Sequence, residues 1–210
     1  FRGVGVVLRD RRFLKTILLF AGAQMSLTIM TAAAPYIVER LLHGKLSQVA
    51  LLLGPFLVSS LVTLIFLPKW VRRHGIEKVT LIGATALGIA YGGAALLGGS
   101  WLGSPLVTAM IVFALAGPGA GVMVGLQGES IARAAAQSEE RVTGSYFGVF
   151  NMVIQALNGV AVALTGWMAE LGRDSVAPIR AMPVLAGVLC VLGVAVFVVL
   201  GRGSQSAAAG

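Results

Sequence analysis

The side chains in this sequence that could contact a ligand are few, and most stand inside apolar runs. Asn151, Gln155, Asn158 and Thr165 fall in residues 141–169, where no charged residue lies between Arg141 and Glu170. At helical spacing, positions 151, 155, 158, 162 and 165 share one face. A carboxamide both donates and accepts hydrogen bonds, so a row of three suits a hydroxyl-rich, uncharged ligand. A polar stripe on a segment long enough to cross a bilayer needs something to face, either a wet cavity or another helix. Interhelical polar contacts are common in membranes at about 0.6–2 kcal/mol each. Three amides exceed what packing needs, so Asn151, Gln155 and Asn158 are expected to line a cavity. For Gln24, in an earlier apolar run, cavity and helix contact both stay open. Glu129 is either a gate or coupling group, or a charge exposed at a helix end. Arg141, with Glu139 and Glu140, is either a latch or part of a solvated loop, where ion pairs contribute little. His43 and His74 sit beside basic residues and are expected to be interfacial rather than proton-carrying. Tyr36 and Trp70 look like interfacial anchors. Cys190 is the single cysteine and can make neither an intrachain disulfide nor a metal cluster. No nucleophile–base pair, metal cluster or phosphate loop is recognisable, so no enzyme and no metal cofactor is expected.

The elements that must hold these residues follow from composition. Hydrophobic residues make up 57% of the chain and charged ones 11%, against about a quarter charged in ordinary soluble domains. Residues 16–38, 46–68, 79–128, 142–169 and 181–201 contain no charge. A spanning helix needs about 20 apolar residues. The run 79–128 is too long for one crossing and is broken at Gly98, Gly99, Gly103 and Pro105. The fold class expected is an all-α membrane protein of six transmembrane helices in one bundle, with spans near 13–38, 46–67, 79–97, 105–127, 145–169 and 183–200. Residues 1–12 read either as a basic interfacial linker or simply as a charged flank, and 202–210 as a disordered Gly/Ser/Ala tail.

Pro35 is expected to kink or end the first span and Pro118 to interrupt the fourth; Pro55 removes a backbone donor inside the second, which is tolerated where neighbours re-satisfy the freed carbonyl. Ala84, Gly88 and Gly92, and again Gly117, Gly121 and Gly125, stand four apart, which lets helices approach closely. The second set around Pro118 could also serve as a hinge. The formal charge of +8 does not point to nucleic acid, because the basic residues sit between spans. With the N-terminus inside, twelve of the 16 Lys and Arg residues fall on the cytoplasmic side. Both termini are therefore expected in the cytoplasm, with the protein in the inner (plasma) membrane.

The six spans differ in character. The first, second, fourth and fifth carry prolines, Gly pairs or amides and hydroxyls; the third and sixth are plain. Three plus three, with a plain helix closing each half, is the pattern of inverted-repeat secondary transporters. The arrangement resembles one half of a major facilitator superfamily transporter, whose third and sixth helices lie outside. The segment 67–79, with Arg72 and Arg73, is similar to the basic loop between the second and third helices of such a bundle, without the loop's common aspartate. A narrower resemblance is to the glycoside–pentoside–hexuronide cation symporters, the group of melibiose permease. Their signature runs A-D-x-x-D, then roughly R-x-E-G-x-Y-x-G into a helix with a lysine. Arg141, Gly144, Tyr146 and Gly148 agree with its second part, and Thr143 replaces the acid. Glu129 falls at the first aspartate, Ala132 at the second, and Gln155 at the helix lysine.

The resemblance implies a C-terminal half whose partner is a missing N-terminal six-helix bundle. It also implies alternating-access uptake of a sugar or related polyhydroxylated solute, with Na or H as coupling cation. The alternatives are a self-contained six-helix channel or scaffold subunit with its polar stripe at a symmetric interface, or a major facilitator exporter of another small solute.

Overall fold

The computed structural model describes residue 7 and residues 10–94, 104–136 and 143–206. Among these, six long helices follow one another: α1 (Arg11–Tyr36), α2 (Val49–His74), α3 (Ile76–Gly93), α4 (Pro105–Ala136), α5 (Thr143–Leu171) and α6 (Ala177–Ser206). Five are long and apolar enough to cross a membrane. The exception is α3, whose 18 described residues include Glu77 and Lys78 in the first turns. They rise about 27 Å, close to the ~30 Å of a hydrocarbon core.

Local chemistry explains the helix ends. Asp10 caps α1, its Oδ1 accepting from the Phe13 amide at 3.3 Å. Pro35 lies in the last turn of α1 and does not stop the chain from coiling. A wider π-helical turn, Ile37–Leu41, follows and closes with the Leu42 amide donating to the Ile37 carbonyl at 3.0 Å. The segment 67–79 is not the loop expected from its charge. Helix α2 continues through Pro68 to His74, and Gly75 alone separates it from α3. At φ 81° and ψ 151°, Gly75 occupies a region open essentially to glycine. Arg72, Arg73 and His74 occupy the last turn of α2, where the helix dipole favours cations. Two other boundaries differ. Helix α4 runs past Gln127 to Ala136, and α6 continues through the expected tail to Ser206; residues 207–210 lie outside the described residues.

Pro118 is accommodated without a break in α4. A proline at 118 deprives the Ala114 carbonyl of its helical donor, and Ser59 on α2 replaces it, its Oγ lying 2.8 Å from that oxygen. The glycines beside it seat α2. A Cβ at Gly121 would stand 2.6 Å from the Ser60 carbonyl oxygen, and Gly117 faces Ser59. On another side of α4, a Cβ at Gly119 would stand 2.7 Å from the Gly83 carbonyl oxygen of α3. The 117/121/125 row therefore acts in packing.

The helices pair as α2 on α4, α1 on α6, α3 on both α4 and α6, and α1 on α5, with α1 meeting α4. Exchanging the first three helices with the last three maps this pattern onto itself: α2·α4 becomes α5·α1, α1·α6 becomes α4·α3, and α3·α6 and α1·α4 return to themselves. That is the contact signature of a three-plus-three repeat. Polar ties cross the seams. Ser26 Oγ donates to the Ala186 carbonyl between α1 and α6, and Cys190 Sγ lies 3.1 Å from the Ala84 carbonyl oxygen of α3.

Burial separates the two plain helices: α6 is among the least covered, whereas α3 packs one full face on its neighbours. In their most apolar windows, α1 and α4 are 61% and 56% buried; α2, α5 and α6 are 11%, 22% and 22% buried. Plain α3 buries a whole face, including Val79, Gly83, Leu87, Gly88 and Tyr91. Small side chains make a helix look featureless in sequence, yet they are what allows neighbours to close on it.

Candidate solute-binding face

The amide stripe lies on one of the least covered helices. Asn151 and Gln155 are exposed, Asn158 is half-buried and Thr165 is buried. The split follows from the helical turn of about 100° per residue. Thr165 and Asn158 fall to one side of Asn151, while Gln155 falls to the other, about 80° from Thr165. The first side meets α1. Thr28 Oγ1 donates to Asn158 Oδ1 at 2.9 Å, and Thr165 turns its hydroxyl back to the Ala161 carbonyl at 2.8 Å. The amide nitrogen of Asn158 stays available beyond that bond. The other side carries Gln155 among Gly144, Gly148, Gly159 and Gly166, and a Cβ added at any of these glycines would meet nothing within 4 Å. An uncovered surface of small side chains and amides results.

Gln24 lies one turn before Thr28 on α1 and is half-buried; Thr31, one turn beyond, is exposed. Positions 24, 28 and 31 share a face of α1, and the Thr28–Asn158 bond brings that face to α5. No hydrogen bond joins Gln24 to Asn151 or Gln155 among the described residues. The surface is neutral, since no charged residue occurs in 16–38 or 142–169.

The charged candidates are placed elsewhere. Glu129 is exposed within α4 and pairs along its own helix, Oε1 lying 2.7 Å from Nη2 of Arg133. Such pairs contribute about 0.2–0.5 kcal/mol. Arg72 and Arg73 are exposed at the end of α2. Arg141 lies outside the described residues.

Two partners of the signature region were missed in the sequence. Tyr146 is buried, donates from Oη to Asp10 Oδ2 at 2.9 Å, and sets its ring edge-on to Phe13 at 4.9 Å between centroids. The signature tyrosine thus fastens the start of α5 to the start of α1. Asp10, the one acid among Arg9, Arg11 and Arg12, is the available signal, obscured by the basic residues on either side of it.

The family model described as MFS/sugar transport protein matches residues 1–201. The chain belongs to this family. Comparison with curated proteins and with solved structures finds no match. Family membership makes the protein an integral membrane transporter of the secondary class rather than an enzyme, with sugar-like solutes as the substrate class the family suggests. The motif resemblance at Arg141, Gly144, Tyr146 and Gly148 falls within the matched residues.

Proposed function

We propose that this chain is the C-terminal six-helix half of a cation-coupled, alternating-access transporter for a sugar or related polyhydroxylated solute. We place the solute against Asn151, Gln155, Asn158 and Gln24. The observation that carries this reading is the uncovered face of α5, where two exposed amides lie among glycines that touch nothing. Amides exposed on a membrane helix need polar company, and a hydroxylated solute in a wet cavity supplies it. Neutral walls favour an uncharged solute. The other half would close the cavity by rocking against α2 and α5, whose apolar surfaces are open: Leu57, Val58, Leu61, Val62 and Ile65 on α2, and Met152 and Val160 on α5. Charged ligands for the coupling cation then come from outside residues 16–38 and 142–169, which contain no carboxylate. Loop charge supports cytoplasmic termini in the plasma membrane.

The test is uptake by the transporter reconstituted in liposomes, with a panel of labelled sugars and polyols. Gln155→Leu is expected to weaken apparent solute affinity about tenfold, the effect of one lost hydrogen-bonding side chain of about 1.4 kcal/mol, while thermal stability is kept. Unchanged uptake and affinity would remove Gln155 from the site. A stable oligomer of this chain alone that conducts ions would favour the self-contained channel instead.

A further inference from the structure

A cavity of about 400 Å³ lies away from the amide face, where α1 and α3 begin and α4 and α6 end. Its walls divide by chemistry. Leu19, Phe20, Ile76, Ala134 and Phe197 form an apolar part; Lys15, Glu77, Ser130 and Arg133 form a polar part. Lys15 is the unusual member. Its side chain is only 19% exposed, yet its ammonium makes no hydrogen bond to any described residue. Its nearest carboxylate oxygen, on Glu77, is 3.7 Å away, and the ammonium sits 4.9 Å over the Phe197 ring. An ammonium has three donors. A loose ion pair and a cation–π contact leave them without a close acceptor, and they border an open cavity. Arg133 adds a planar fork of donors, and Glu129 occupies one side of that fork only.

We propose that this cavity binds a phosphate group, held by the Lys15 ammonium and the Arg133 guanidinium, with the Ser130 hydroxyl as a further donor. Phosphate oxygens are strong acceptors and suit an Arg–Lys pair. Glu77 is the built-in competitor: the phosphate takes Lys15 from it and loosens the tie between α1 and α3. The apolar wall beside the polar one matches a phospholipid headgroup entering with its acyl chains. A soluble phosphate ester offers the same headgroup chemistry without the chains.

The experiment is thermal unfolding of the purified protein in an uncharged maltoside detergent. It is titrated separately with dihexanoyl-phosphatidylglycerol, sn-glycerol 3-phosphate, inorganic phosphate and the uncharged dihexanoylglycerol. Phosphatidylglycerol is expected to raise Tm saturably, and dihexanoylglycerol not to. Lys15→Gln and Arg133→Gln each weaken the apparent affinity about tenfold. Glu77→Gln strengthens it, because the competitor is gone, so a variant of opposite sign guards against loss of folding. Stabilisation by phosphatidylglycerol alone identifies a lipid headgroup; equal stabilisation by sn-glycerol 3-phosphate or inorganic phosphate identifies a soluble phosphate. No shift with any phosphate, a shift unchanged in both Lys15→Gln and Arg133→Gln, or weaker binding in Glu77→Gln overturns the proposal.

Discussion

Single side chains in this bundle divide by whether another helix already holds them. Asn158 and Gln155 are one turn apart on α5, yet Asn158 receives a hydrogen bond from Thr28 and Gln155 has no protein partner among the described residues. Their substitutions should therefore separate. Asn158→Leu is expected to reduce both uptake and stability, the latter by roughly 0.6–1.7 kcal/mol; Asn151→Leu, like Gln155→Leu, should reduce uptake alone. Uptake assays paired with thermal unfolding of each variant check this, and equal destabilisation by all three would refute the division. Ser59 gives a second case. Ser59→Ala removes the donor to the Ala114 carbonyl, which Pro118 has already left without its helical partner. The expected loss is about 1 kcal/mol, read from the unfolding midpoint. Restoring the amide with Pro118→Ala should make the same serine change nearly silent.

Helices as units depend on glycines for different reasons. Gly75 gives the chain a backbone angle that lets α3 start one residue after α2 ends. Gly75→Ala should cost about 1–3 kcal/mol through that angle, although a Cβ there would touch nothing within 4 Å. Gly119 and Gly121 instead set the distance between helices. Gly121→Val would drive a side chain into the Ser60 carbonyl and destabilise the α2–α4 seam by about 1–3 kcal/mol. Unfolding of the two variants beside Gly148→Ala, whose surroundings are open, is the control: Gly148→Ala should match the parent or exceed it slightly, since alanine favours a helix interior. Comparable losses at 121 and 148 would contradict the packing assignments.

The whole molecule is a bundle with a well-packed centre and broad uncovered flanks. Helices α1 and α4 supply the centre, and α2 and α5 carry much of the open surface. If α5 meets another six-helix bundle across a cavity, bulk at Gly148 should matter there and nowhere else. Gly148→Phe is expected to leave the unfolding midpoint of these six helices within about 0.5 kcal/mol, as surface substitutions do, and to abolish uptake. Uptake at parental levels in Gly148→Phe would mean that this face contacts lipid.

Residue types alone determined that the chain is a membrane bundle, because an uncharged run of spanning length has almost no soluble alternative. They also determined the three-plus-three order, through the placement of prolines and amides, and the family, through a few motif residues of which Tyr146 is one. The amides at 151, 155 and 158 were legible as one face because helical spacing is fixed. Whether each amide was free or engaged was not, since that depends on Thr28, 130 positions away in sequence. Tertiary packing likewise decided that α3, plain by composition, buries a full face, and that Ser59 supplies the donor missing at Pro118. It brought Lys15, Glu77 and Arg133 from three helices around one cavity. Periodicity within a helix is a local property of the backbone; which faces meet is set by how six such helices fill space together.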